Sequence, residues 1–135
     1  MQAVEGMKDK CKLLFCSVTT KSKIKFSRPT PTGIQNVAPG TVVDHSVFKP
    51  EAYEFLIVST PTPTHYSVLV DEIQAGPEEL QKLCYKLCYL YYNFSGAVKM
   101  PAPVKYSNRY GEHLAEHGAC EVHPLLEKIN GLFFI

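Results

Sequence analysis

From Pro77 onward the chain repeats apolar residues at spacings of three and four. Leu80, Leu83, Cys84, Leu87, Cys88 and Tyr91 fall on one stripe, and an apolar stripe of that kind is stable in water only against a core. Pro77 suits the first helical position, because the N–H it lacks would go unbonded there anyway. Glu78 and Glu79 follow where the helix dipole favours negative charge. The pattern predicts a helix over residues 77–94. Its other faces carry Lys82, Tyr85, Lys86, Tyr89 and Tyr92, an aromatic and basic mixture unlike a plain solvated side. Such a face suits either RNA or protein that this chain does not itself contain.

The core that the stripe needs is supplied by short β-branched runs. Lys12 to Val18 (KLLFCSV), Glu54 to Thr60 (EFLIVST) and His65 to Glu72 (HYSVLVDE) each read as a strand. The second is continuously apolar, as expected of a strand covered on both faces. Between the first two, Thr19 to Gly40 is polar and basic, then punctuated by Pro29, Pro31, Gly33, Pro39 and Gly40, the signature of a long loop or an irregular hairpin. A second helix is predicted from near Lys105 to His117, stopping at Gly118, although Gly111 inside it weakens the pattern. The GLFFI terminus is expected to tuck in. The class is α/β with three or four strands and two C-terminal helices, without internal repeat or domain boundary.

With 135 residues, 45% of them hydrophobic, one core is expected. No apolar run approaches the roughly 20 residues that span a bilayer, and MQAVEGMKDKCK lacks the apolar stretch of a signal peptide. The expectation is a soluble intracellular protein, cytoplasmic with the nucleus as the alternative. Five cysteines form no CxxC pair, which argues against a disulfide framework, and Cys84 and Cys88 read as small buried hydrophobes. Seven of the fourteen lysines and arginines lie at or before Arg28, against only Glu5 and Asp9. A basic first quarter suits a phosphate backbone. Lysines at alternate positions also protect exposed strands from pairing, so charge alone leaves both readings open.

Particular strings carry more than periodicity does. NVAPGTVVD at 36–44, HYSVLVDE at 65–72, LQKLCYKLCYLYY at 80–92 and MPAPVKYSNRY at 100–110 occur in the order and near the spacing of the last segments of the PIWI domain of Argonaute proteins. Residues 12–118 resemble that family, which divides the chain into an N-terminal extension, 1–11, and the C-terminal portion of a PIWI domain, 12–135. The resemblance implies a partial RNase H-like fold with a mixed sheet. It also implies a role in small-RNA-guided silencing, with guide RNA and its target RNA as partners and no resident cofactor.

Cleaving members hold metal ions with acids in segments that precede those matched here. The last active-site position of the family is a histidine in its P-A-P-x-x-Y-A-H segment, and this chain reads Asn108 there. The resemblance therefore implies no catalytic residue, and Asn108-Arg109-Tyr110 resembles the nematode-type Argonautes that work without slicing. Guide contact near the 5′ end carries over to Lys105, Tyr106, Arg109 and His113, with His65 and Tyr66 as a second backbone contact. Asn93 and His113 stand where the family has more basic residues. Packing is the alternative role for both tyrosines, and solvated surface for Lys105 and Arg109.

His113-Leu-Ala-Glu116-His117 also has the H-x-x-E-H form of inverted zinc peptidases, and Cys120 and His123 follow it. Five residues are a weak match, and such a site needs a distant ligand and a cleft, so histidines on an amphipathic surface are the expectation and no metal is assigned. The rival to RNA binding is a truncated paralogue that acts by protein interaction or not at all. Its contacts would be self-association or a partner through an exposed sheet edge and Tyr85, Tyr89 and Tyr92.

Overall fold

A computed structural model of the chain describes residues 11–49 and 52–118. The main sheet has four strands, β1 (Leu14–Thr19), β4 (Thr41–Val43), β5 (Glu54–Val58) and β6 (Thr64–Asp71), in the order β1-β6-β5-β4. Two further strands, β2 (Ser27–Thr30) and β3 (Gly33–Asn36), form a separate hairpin, so the stretch read as a loop or irregular hairpin is a hairpin. Helices α1 (Pro77–Leu87) and α2 (Ala102–His117) follow.

β5 is interior because its residues leave it no alternative. Phe55, Leu56, Ile57 and Val58 are all buried, so neither face can meet water. A strand buried on both sides needs neighbours on both edges for its backbone hydrogen bonds, and β4 and β6 supply them. All described pairings are antiparallel, where the resemblance implied a mixed sheet. The reason lies in the connections: five residues join β5 to β6, whereas a parallel neighbour needs a crossover of roughly a dozen residues or more. Phe55 and Ile57 pack on one face with Tyr66, Leu80 and Cys84, which fixes α1 against the sheet.

Three departures from the sequence pattern have local causes. α1 begins at Pro77 as expected but ends at Leu87, not residue 94. Cys88 and Tyr89 donate to Tyr85 and Lys86, three residues back, and the Cys88 carbonyl accepts the Val98 N–H at 2.8 Å. A continuing helix would have given that carbonyl to residue 92. Leu83, placed on the buried stripe by spacing, is 50% exposed, while Gln81 is buried. Gln81 Nε2 donates to Asp44 Oδ2 at 2.9 Å, which meets the cost of burying the amide. The third departure is a bulge: Phe15 pairs with Val70 but Cys16 with Val68. Leu69 is the extra residue, and it and Phe15 are exposed.

Candidate nucleic-acid interface

The segment between the helices is clipped at both ends. Besides the bond to Cys88, Val98 and Lys99 present carbonyls to the two ends of the β5–β6 connection, where Ser59 Oγ donates to Val98 O at 3.1 Å and Thr64 Oγ1, at the start of β6, to Lys99 O at 2.5 Å. Pro101 then caps α2, with a further proline in the first turn, and Ala102 is buried. α2 therefore starts three residues earlier than the sequence suggested, since proline is preorganised for a helix start.

Lys105, Arg109 and His113 recur at a spacing of four, so they share one face of α2. Lys105 Nζ lies 5.9 Å from the ring centre of Tyr91, and Tyr91 in turn packs against Tyr106 with ring centres 5.2 Å apart. Tyr106 Oη is fixed by two backbone groups: it accepts the Tyr92 N–H at 2.9 Å and donates to Leu90 O at 3.5 Å. The half-buried Tyr106 therefore anchors the segment between the helices, and its ring backs Tyr91, over which Lys105 lies. Arg109 is exposed and pairs with Glu112 at 3.0 Å. That hydrogen bond, with the carboxylate's charge, raises the guanidinium pKa further, so the group is a permanent cation. Asn108 is exposed too, its Nδ2 3.4 Å from Met100 Sδ.

Four of the six residues singled out from the sequence thus come together on α2. The β6 pair does not join them. Tyr66 is fully buried, its ring stacked on Phe55 at 5.0 Å and its hydroxyl 3.8 Å from Cys88 Sγ. Burial pushes that hydroxyl's pKa far above its ordinary value. The expected backbone contact is corrected: Tyr66 is a core residue with no surface to offer a ligand. His65 is half-buried, stacked on Phe48 at 5.3 Å, with Nε2 lying 3.4 Å from Glu54 Oε2. Its ring packs against Phe48, and its buried Nε2 makes no hydrogen bond among the described residues. Asn93 is exposed between the helices.

Helical spacing assigns Tyr91 to the core stripe, but it is half-buried beyond the end of α1 and packs against Tyr106. No local signal separates it from that stripe, because the end of α1 is set by the distant Val98 contact. The Tyr85, Tyr89 and Tyr92 face is also rearranged. Tyr85 and Tyr89 bond to each other through their hydroxyls at 2.6 Å, and Tyr92, beyond the helix, is 86% exposed. Of the H-x-x-E-H string, His113 and His117 have ring centres 4.7 Å apart. Among the described residues no three His, Cys, Asp or Glu side chains are grouped to hold a metal ion. Cys120 and His123 lie outside the described residues, as does the GLFFI terminus.

An antiparallel sheet carrying one packed helix, then a clipped segment and a second helix with a basic row, defines the C-terminal end of an RNase H-like lobe. The Piwi domain family model matches residues 2–118, and the chain belongs to that family. It is 47% identical over 110 residues to Piwi-like protein Ago3 of Bombyx mori, covering 76% of this chain and 12% of that protein. It is 41% identical over 98 residues to Piwi-like protein 1 of Gallus gallus, covering 68% and 11%. The chain thus spans about an eighth or less of the length of these relatives. Among solved structures, Drosophila Piwi superposes with a TM-score of 0.65 at 32% identity, covering 82% of this chain and 16% of that one. Kluyveromyces polysporus Argonaute with a guide RNA gives a TM-score of 0.66 at 26% identity, covering 81% and 15%.

Proposed function

We propose that this chain takes part in small-RNA-guided silencing, in the cytoplasm or the nucleus, by holding the backbone of a guide RNA without cutting the paired target. The observation that carries the reading is the α2 row of Lys105, Arg109 and His113, braced by Tyr91 and Tyr106, in a chain of the Piwi family. Lysine and arginine supply sequence-independent contacts to phosphate, and tyrosine can add a hydroxyl to a phosphate oxygen or a ring to a base. His65 and Tyr66 are left out of this site. Assignment to the nematode-type branch would rest on Asn108-Arg109-Tyr110 alone, while the Piwi-like relatives favour the Piwi side of the family.

The absence of cutting is argued from Asn108. Metal-assisted phosphodiester cleavage needs several carboxylates to clamp the ions on both the attacking and leaving oxygens, and an amide neither transfers the proton nor replaces imidazole as a ligand. Restoring one imidazole does not rebuild that set. The 135-residue chain and its Asn108→His variant are therefore expected to be equally inactive on guide-paired RNA with magnesium or manganese. Guide-directed cleavage by either, abolished by a chelator, would contradict the proposal.

A second reading, association through protein, has its own observation. Among the described residues β1 is an edge strand, and Leu13, Phe15, Leu69 and Val70 beside it are exposed. Unpaired backbone next to apolar side chains invites another strand. The isolated chain is expected to elute as a dimer or larger species with a concentration-dependent mass by light scattering. A monodisperse monomer at high concentration would count against this.

A further inference from the structure

The α2 surface leaves unused a second concentration of cations and rings on another part of the fold. Between Asp9 and Asp44 the sequence has no acidic residue, yet Lys21, Lys23, Lys25 and Arg28 all fall there. Among the described residues none of these four has a carboxylate partner. Lys25 and Arg28 flank the foot of the β2–β3 hairpin, where Ser27 pairs with Asn36. Asn36 is in turn on the rim of an open cleft of about 460 Å³. Val37, Pro39, Val58, Pro61 and Tyr89 give that cleft mostly apolar walls.

Among the described residues lining the cleft Tyr89 is the aromatic one, and it is held before any ligand arrives. It is 45% exposed, set edge-on to Tyr85 with ring centres 5.2 Å apart, and bonded to it hydroxyl to hydroxyl. Tyr85 lies over Gly40, where a Cβ would come within 3.4 Å of the ring. Gly40 has a φ of +88°, and its N–H donates to Val58 O at 2.8 Å. A ring fixed in this way loses little freedom when a base stacks on it.

We infer that this cleft is a second contact for single-stranded RNA, in which an unstacked base lies on Tyr89 while adjacent phosphates reach Lys25 and Arg28. A positively charged groove with an aromatic platform is how single strands are held without sequence preference. The charge decides between occupants: cations at the hairpin foot, next to the Ser27–Asn36 pair that reaches the cleft, repel a basic peptide and add little for a neutral apolar one, whereas phosphate neutralises them. None of the described residues lining the cleft is on α2, so the contact extends the proposed function to residues outside that row.

The test compares oligouridine with an abasic sugar-phosphate strand of the same length, both titrated into the full 135-residue chain. The wild type is expected to prefer oligouridine about tenfold. Tyr89→Ala should remove most of that preference, and Tyr89→Phe, which keeps the ring, should retain it. Lys25→Ala with Arg28→Ala should weaken both strands alike and flatten their salt dependence. Lys105→Ala with Arg109→Ala should leave the preference for bases in place, which separates the two surfaces. An undiminished preference in Tyr89→Ala would overturn the inference while sparing the proposed function. Failure of the wild type to bind either strand would overturn both. Protection of Tyr89 from nitration by a neutral apolar peptide, and not by oligouridine, would overturn it in favour of protein docking.

Discussion

Phe55→Ala is expected to destabilise the fold by about 3–5 kcal/mol, the usual cost of emptying an aromatic site in a core. Phe55 is fully buried in β5. It pairs in register with Tyr66, stacks on that ring at 5.0 Å and touches Tyr53 at 5.6 Å. Its neighbours are tied down by the sheet and by α1, so they cannot close the gap. Single domains are stable by only about 5–15 kcal/mol, so the variant should stand close to unfolding. Urea denaturation followed by circular dichroism reads the loss. If the variant does not fold at all, Ile57→Val supplies the graded measurement at about 0.5–1.5 kcal/mol. A loss under about 1 kcal/mol in a folded Phe55→Ala would mean that the core is not centred on β5.

Replacing Lys105 and Arg109 together by alanine is expected to weaken RNA binding at low salt by roughly tenfold or more. The same variant should have a shallower dependence of log affinity on log salt, by about 0.7 for each phosphate released from a single strand. The two cations are differently placed. Lys105 is braced over Tyr91, while Arg109 is held by Glu112 and must share or leave that carboxylate to reach a phosphate. Glu112→Gln should therefore tighten binding, and it should have no such effect once Arg109 is alanine. An unchanged salt slope in the double variant would remove both residues from the site.

The elements were legible wherever a pattern has one physical meaning. EFLIV could only be interior, and Pro77 with two acids after it could only begin a helix. The end of α1 was not legible, because it is set by the Val98 N–H taking the Cys88 carbonyl, a contact ten residues away that leaves no local mark. Leu83 and Gln81 exchanged places for a similar reason. Spacing ranks a leucine above a glutamine for burial, and only the fold shows that Asp44 waits for the amide.

The site divides along the same line. Lys105, Tyr106, Arg109 and His113 came from the family resemblance, and the fold adds only that one helix carries all four. For Tyr66 the sequence leaves contact and packing both open, and only its register opposite Phe55 in the assembled sheet decides for packing. Tyr89 entered as part of a protein-facing or RNA-facing helix surface, but the short helix and its bond to Tyr85 turn it to a cleft wall instead.

The central claim is that this chain holds RNA through its phosphates, and one titration tests it most directly. A short 5′-phosphorylated RNA, labelled for fluorescence anisotropy, is titrated with the full chain at salt concentrations from about 50 to about 200 mM. The account predicts saturable binding that is indifferent to sequence and falls steadily as salt rises. No saturable binding at the lowest salt, or an affinity that salt does not change, would contradict it.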